Sequence, residues 1–221
     1  MHRPTILVVT DPIPRTFSVQ FDLLQSLSRK LNKFMDIYVY SNYIAHDKEA
    51  KLLSMDIQRI SLPQSWYSSF IKKHFYPKLN ESLLWGINWF LDVLNLKFGR
   101  SVKVDFNKRF DFVINLSSTV MCDADIMWLQ GPPFVEVVES MAKDNIIANI
   151  FLKIFRHPLA NGSKLIISKM ASLSKRVSAN SNFIATRYSG YPFTIGSVIY
   201  TSKEFSFFEP KKVINREKYV F

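Results

Sequence analysis

The chain has 221 residues, of which 48% are hydrophobic and 14% aromatic, and its net charge at pH 7 is +11. This length and composition allow one large globular domain with a substantial core, and they disfavour a disordered protein. The single cysteine, Cys122, excludes an internal disulfide bond and fits a reducing compartment. The first apolar run is too short for a signal peptide, and no stretch reaches the ~18 apolar residues of a membrane-spanning helix. We therefore expect a cytoplasmic protein.

Predicted strands and helices alternate along the chain. Strands are predicted from β-rich apolar runs at residues 5–10, 36–41, 57–62, 112–116, 126–129, 177–179 and 196–200. Helices are predicted from apolar spacing at residues 17–31, 66–98 (with a break at Pro77), 135–155, 163–175 and 183–188. This order predicts an α/β fold with a Rossmann-like, doubly wound, mostly parallel sheet of about seven strands and helices on both faces.

The end of the chain differs in composition from the rest. A polar, charged segment begins at Glu204, and residues 219–221 have the composition of a starting strand. We expect one domain over residues 1–205, then a linker and the start of a missing second domain over residues 206–221. The chemistry would then be shared with a partner domain.

Residues that follow strands are the candidates for a site, because ligands of open parallel sheets bind outside the carboxyl ends of the strands. The loop after the first strand contains Asp11 and delivers Arg15, Thr16 and Ser18 to the start of a helix. Backbone N–H groups there attract phosphate, and Arg15 could add a charge-assisted contact. The loop has no glycine, so it is neither a dinucleotide fingerprint nor a P-loop. The alternative is a rigid turn set by its two prolines.

Further polar residues follow later strands. Gln130 precedes a Gly-Pro-Pro turn, and its carboxamide can orient a substrate hydroxyl but cannot act as a general base. The alternative for this segment is a stiff connector between strand and helix. Asn180 or Ser181 is predicted to cap the next helix, and both could also contact a hydroxyl-rich ligand. Polar residues follow other strands at 41–42, 117–118 and 201–202.

No group of residues predicts a nucleophile with its base, a metal site or a cofactor. Cys122 is interpreted as a buried or inert thiol, because no histidine lies near it in the sequence. Asp123 and Asp125 form an Asp-x-Asp pair of the kind that can bind a metal with a nucleotide diphosphate. They precede their strand, so we expect them at the opposite edge of the sheet from a ligand. The catalytic residues therefore remain unassigned.

A basic region without acidic residues extends from residue 145 to residue 203 and contains eight lysines and arginines. Its predicted helices combine aliphatic residues with positive charge, as interfacial membrane helices do. The alternatives are a solvated basic face and ordinary amphipathic helices packed on the sheet. Nucleic acid is a less favoured partner, because the lysines alternate with aliphatic rather than aromatic residues. The candidate surface for anionic lipid consists of Lys153, Arg156, Lys164, Lys169, Lys175 and Arg176.

Three segments resemble the N-terminal domain of family 4 glycosyltransferases, which have two facing Rossmann-like domains in the B-type architecture. Residues 6–11 (Ile-Leu-Val-Val-Thr-Asp) and the helix that follows resemble the opening strand and crossover. Residues 177–185 (Val-Ser-Ala-Asn-Ser-Asn-Phe-Ile-Ala) resemble the family's Asn-Ser segment with a following aromatic residue. Residues 197–202 (Ser-Val-Ile-Tyr-Thr-Ser) resemble the last strand before the interdomain linker.

The resemblance implies the acceptor-binding, membrane-facing half of an enzyme that transfers a sugar from a nucleotide-sugar to a lipid-linked or other glycan acceptor. It implies a nucleotide-sugar-binding domain or subunit as partner, without which the chain would be inactive. It also fits a peripheral location on the inner face of the membrane. The alternative is a non-enzymatic, Rossmann-like membrane-anchoring or partner-binding module.

The sequence departs from the family pattern at three places. Residues 13–16 (Ile-Pro-Arg-Thr) stand where the family usually has a Gly-Gly pair near the donor phosphates. Gln130 stands where many members have a histidine, and residues 201–202 (Thr-Ser) replace a Pro-Pro pair. The donor-binding and acidic catalytic motifs of the family belong to its second domain, so the resemblance assigns this chain the acceptor side.

Overall fold

A computed structural model describes residues 3–15, 19–61, 74, 106, 109–118, 120–142 and 146–200. The described residues form seven strands and five helices. The strands are β1 (Thr5–Thr10), β2 (Asp36–Ser41), β3 (Ile57–Ile60), β4 (Phe112–Asn115), β5 (Ala124–Leu129), β6 (Ser174–Ala179) and β7 (Ser197–Val198). The helices are α1 (Val19–Leu31), α2 (His46–Ser54), α3 (Phe134–Ala142), α4 (Ile146–Ser172) and α5 (Asn182–Arg187).

The seven strands form one sheet in the order β3-β2-β1-β4-β5-β6-β7. All pairs between neighbouring strands are parallel. The chain builds the sheet outward in one direction from β1 to β3 and in the other direction from β4 to β7. This arrangement confirms the predicted Rossmann-like, doubly wound α/β fold. Its topological switch point, where the direction reverses, lies between the carboxyl ends of β1 and β4.

Helices cover both faces of this sheet. On one face, Phe21 of α1 packs in a buried cluster with Val8, and Ile126 of β5 packs against the same cluster. Met127, the next residue of β5, points to the opposite face, because side chains alternate along a strand. There it packs in a buried cluster with Ile166 of α4. The buried, apolar β1 and β2 are typical of a parallel sheet that is covered on both sides.

The structure differs most from the predicted helices at residues 134–172. Separate helices were predicted at 135–155 and 163–175, but α4 runs without interruption through Pro158 and ends at Ser172. Proline inside a helix removes a hydrogen bond and costs about 3 kcal/mol. Leu159, Ile166 and Met170 lie beyond the proline and are buried in the core, and this burial offsets the cost. A further helix, α2, was not predicted, because Leu52 is its only buried residue among those described.

Several predictions concern residues outside the described part of the chain. They are the helix at 66–98, of which only His74 is described, the helix-start residues Thr16 and Ser18, and the linker with its partial strand at 206–221. Within the described part, no helix is both long enough and apolar enough to cross a lipid bilayer.

Candidate functional site

Asp11, at the carboxyl end of β1, connects the strand ends on both sides of the switch point. Its side chain accepts hydrogen bonds from Ser117 Oγ at 2.7 Å, from Ser118 N at 2.9 Å and from Gln20 Nε2 at 3.2 Å. Its backbone carbonyl accepts one from Ser41 Oγ at 2.8 Å. One aspartate therefore holds together the ends of β1, β2 and β4 and the first turn of α1.

The environment of Asp11 favours a positioning role over proton transfer to a substrate. Only 9% of the residue is exposed. Burial raises the pKa of the Asp11 carboxyl, and the hydrogen bonds from Ser117, Ser118 and Gln20 oppose this effect only in part. Both carboxyl oxygens are engaged, since Ser118 Oγ lies 3.2 Å from Oδ1 and 3.1 Å from Oδ2. A carboxyl so enclosed can fix the loop after β4 in one conformation.

The loop after β4 is also ordered from within. Asn115, which is fully buried, accepts a hydrogen bond from Ser117 N at 2.9 Å and donates one from Nδ2 to Val120 O at 3.0 Å. Ser117 Oγ in turn accepts a hydrogen bond from Val120 N at 3.0 Å. Because that oxygen accepts the hydrogen bond from Val120 N, the hydroxyl hydrogen of Ser117 is directed at Asp11. The loop is therefore preorganised before any ligand arrives.

Arg15 lies on the β2 side of the same edge. The loop that carries it runs beside the segment after β2, since Ile13 N donates to Tyr43 O at 2.8 Å. Arg15 is exposed. Burial raises the pKa of the Tyr43 phenol, and the positive charge of Arg15 opposes that rise. An exposed cation therefore lies in the loop after β1 at the carboxyl edge, and its positive charge acts on the Tyr43 phenol.

A second polar group lies at the ends of β5 and β6. Asn180 Nδ2 donates to the backbone carbonyl of Gln130 at 2.8 Å. Ser181 Oγ accepts a hydrogen bond from Ile184 N at 3.3 Å, so Ser181 is the N-cap of α5 and the predicted cap is confirmed. Gln130, Asn180 and Ser181 are thus brought together, although 50 residues separate Asn180 from Gln130.

Tyr188 links this second group to the switch point. Its hydroxyl donates to Gly131 O at 3.1 Å. Burial raises the pKa of the Tyr188 phenol, and Tyr191 and the negative charges of Glu136 and Asp11 raise it further. Because β1, β4, β5 and β6 are successive parallel neighbours in one sheet, the two polar groups belong to the same carboxyl edge.

Several buried polar atoms at this edge have no hydrogen-bond partner among the residues that the structure describes. They are Thr10 Oγ1, Gln20 Oε1, Trp128 Nε1 and both polar atoms of the Gln130 carboxamide. The strand register places Thr10 level with Trp128, and Gln130 follows two residues later on the same face. An unsatisfied buried polar group costs about 1–3 kcal/mol. Ordered water or the hydroxyl groups of a ligand could satisfy these buried donors and acceptors only if the edge opened enough to admit them.

Sequence reasoning found part of this edge and missed part of it. It selected Asp11, Arg15, Gln130, Asn180 and Ser181, all of which lie at the carboxyl ends of neighbouring strands. It noted residues 117–118 as a polar strand end but did not connect them with Asp11. Nothing in the local sequence marks Thr10, Gln20, Trp128 or Tyr188 as members of the edge.

The Asp-x-Asp pair lies away from this edge, as predicted. Asp125 is in β5 near its amino end, where it forms an ion pair with Lys175 at 2.6 Å. It also accepts a hydrogen bond from Val113 N at 2.8 Å. Asp125 is therefore occupied by structural partners. Among the described residues, no three histidine, cysteine, aspartate or glutamate side chains group to hold a metal ion.

All six residues of the candidate lipid surface are exposed, but they differ in their partners. Arg156 forms an ion pair with Glu139 at 2.8 Å, and Lys175 forms the pair with Asp125. Two of the six charges are therefore partly neutralised within the chain. The exposed residues are Lys153, Arg156, Lys164, Lys169, Lys175 and Arg176.

The fold and the edge define an α/β protein of the Rossmann-like class with polar side chains along the carboxyl edge of its sheet. No protein-family model matches the sequence, and a search of curated proteins finds no match. The function is therefore argued from the geometry and chemistry of the edge.

Proposed function

We propose that this chain is the acceptor-binding half of a glycosyltransferase. It would bind a lipid-linked or other glycan acceptor at the carboxyl edge, and a second domain, on the same or another polypeptide, would supply the nucleotide-sugar. The strand order, the location of the polar residues at the switch point and the resemblance of three sequence segments support this proposal. The cytoplasmic face of a membrane would be its place of action.

The observation that carries the proposal is the set of unsatisfied polar atoms at the carboxyl edge. Gln130 offers a donor and an acceptor, Trp128 offers a donor, and Thr10 offers a hydroxyl. A sugar hydroxyl both donates and accepts hydrogen bonds, so it suits a mixed set of this kind better than a phosphate, which only accepts. The expected ligand of this part of the edge is therefore a carbohydrate.

In the proposed reaction, the acceptor hydroxyl oxygen forms a bond to the anomeric carbon of the sugar while the bond to the nucleoside diphosphate breaks. The hydroxyl proton passes to a base or to the departing phosphate, both of which would come with the second domain. The role of this chain would be to orient the hydroxyl. Asp11 would act as a positioning residue, because its oxygens already hold the loop after β4.

Glycan binding to the purified chain tests the proposal. Saturation-transfer NMR with a panel of mono- and oligosaccharides should detect at least one ligand, and calorimetry should give its affinity. Gln130→Leu keeps the size of the side chain but removes its hydrogen bonds, so we expect affinity to fall at least about tenfold. Gln58→Leu, at an exposed position of β3, is the matched control and should bind as the wild type does. No bound glycan, or equal losses in both variants, would contradict the proposal.

A further inference from the structure

The length of α4 places its first half beyond the sheet. Its 27 residues span about 40 Å, whereas the six residues of β6 span about 20 Å. The end of α4 leads through Leu173 into the start of β6, so the excess length must extend past the carboxyl edge. The described α4 side chains in the buried core all lie at Leu159 or beyond. Residues 146–158 of α4 therefore extend from the edge that carries the candidate site.

One stripe of α4 faces solvent along both halves of the helix. Ile150 is 56% exposed and Leu165 is 57% exposed, so both present aliphatic surface to solvent. Residues three or four positions apart share one side of a helix, so exposed lysines accompany them on the same stripe. We name this set the α4 stripe; it consists of Ile150, Lys153, His157, Asn161, Lys164, Leu165 and Lys169, all exposed.

The α4 stripe keeps its positive charge. Two acidic side chains of the neighbouring helix α3 are already used, because Glu139 pairs with Arg156 and Glu136 pairs with Arg187. Among the described residues, Lys153, Lys164 and Lys169 form no ion pair with an acidic side chain. No acidic residue occurs between 145 and 203 to compensate them. The stripe therefore combines uncompensated cations with exposed aliphatic side chains on one helix surface.

We infer that the α4 stripe docks on an anionic lipid bilayer. Lipid headgroups would neutralise its lysines, and Ile150 and Leu165 would enter the interface between headgroups and acyl chains. With α4 lying flat on the membrane surface, residues 146–158 would lie between the membrane and the carboxyl edge. That edge would lie about one helix diameter, about 10 Å, above the lipid. This geometry rests on the proposed function and specifies it further: the acceptor is a glycan carried on a lipid.

Vesicle flotation of the full chain tests this inference. We expect flotation with vesicles of phosphatidylcholine containing phosphatidylglycerol, and little or none with phosphatidylcholine alone. Lys153→Ala combined with Lys164→Ala should weaken binding at least about tenfold, since each lysine near an anionic surface contributes separately. Ile150→Ser combined with Leu165→Ser should weaken the binding that remains at high salt. All four positions are exposed, so circular dichroism should show an unchanged fold.

Matched controls come from the opposite face of the sheet. Lys30→Ala combined with Lys51→Ala removes two exposed lysines from α1 and α2, and Leu53→Ser removes an aliphatic side chain that is 59% exposed. These variants should float as the wild type does. Absence of flotation, or equal losses in the controls, would overturn the inference. Tighter binding to a single-stranded oligonucleotide than to anionic vesicles would overturn it as well.

The glycan-binding measurement separates the two proposals. The variant with both Lys153→Ala and Lys164→Ala should keep its affinity for a soluble glycan, because the α4 stripe is distinct from the carboxyl edge. Its binding to anionic vesicles should be weakened. Glycan binding without vesicle binding would contradict only the inference that the α4 stripe docks on a membrane. Vesicle binding without glycan binding would support the membrane-docking surface. It would contradict the proposed glycosyltransferase function and the lipid-linked acceptor.

Discussion

The carboxyl edge has two halves, one around Asp11 at the switch point and one around Gln130 at the ends of β5 and β6. The central side chains of the two halves differ in how many of their hydrogen bonds are formed. At the switch point, the buried Asp11 carboxyl is surrounded by donors from Ser117, Ser118 and Gln20. At the end of β5, the buried Gln130 carboxamide has no partner for either polar atom. A satisfied buried group stabilises one conformation, whereas an unsatisfied one lowers stability until something binds it. The Asp11 carboxyl is thus a structural support, whereas the Gln130 carboxamide, like Thr10 Oγ1 and Gln20 Oε1 near Asp11, has hydrogen bonds left to offer.

The largest expected effect comes from breaking the satisfied half. Asp11→Ala leaves several buried donors without an acceptor, so we expect a loss of about 3 kcal/mol in the free energy of unfolding. Asp11→Asn keeps one acceptor oxygen and should lose about half as much. Urea denaturation followed by circular dichroism measures both. Losses under about 0.5 kcal/mol, the usual range at surface positions, would contradict a supporting role for Asp11.

The pH dependence of stability sharpens this prediction. The pKa of Asp11 is raised in the folded chain above the ordinary value of 3.8. The folded state therefore binds the proton more tightly than the unfolded state does. The resulting stabilisation is complete below pH 3.8 and is lost as the pH rises through the raised pKa. The stability of the wild type relative to Asp11→Asn should grow as the pH is lowered from 7 to about 4, and a constant difference would count against the burial of the carboxyl.

An intermediate effect of opposite sign is expected in the unsatisfied half. Gln130→Leu removes two buried polar atoms that have no partners, so unliganded protein should gain about 1–2 kcal/mol in stability. Thermal denaturation without glycan measures this gain, and Gln58→Leu should show none. The same Gln130 variant should be stabilised less than the wild type when glycan is added. A destabilised Gln130→Leu would mean that ordered water or the protein itself already satisfies the amide.

The smallest effect is expected at Ser181, where a residue of the second half is satisfied locally. Ser181→Ala removes the N-cap of α5 and should cost about 1 kcal/mol, whereas Ser181→Asp should restore most of the loss. Glycan affinity should change little in either variant, because the hydroxyl already accepts from Ile184 N. A large loss of affinity in Ser181→Asp with normal stability would instead place Ser181 in the glycan site.

The sequence alone determined the class of fold and most of the strand ends. Apolar runs of three to six residues, separated by helical spacing, are a local signal of a parallel sheet. β1 lies at the predicted residues, and β5 and β6 begin two and three residues earlier than predicted but end where predicted. Asp11, Gln130 and Asn180 were found for the same reason, since each directly follows such a run. The cap at Ser181 also depends on near neighbours only. Local spacing misjudged α4, because burial of Leu159 and Met170 by the distant sheet outweighs the effect of Pro158.

Tertiary structure alone decided how the edge is assembled. Asp11 and Ser117 are 106 residues apart, and only the pairing of β1 with β4 makes them hydrogen-bond partners. Tertiary structure also decides that the polar side-chain atoms of Gln130 and Trp128 are buried without a described hydrogen-bond partner, because their burial depends on residues distant in the sequence. Periodicity records which side of its own element a residue occupies, but it contains no information about which strands become neighbours. The strand order therefore places polar residues that are far apart in the sequence at one edge of the sheet. Some of them, such as Asp11, have hydrogen-bond partners there, and others, such as Gln130, have side-chain atoms without a described partner.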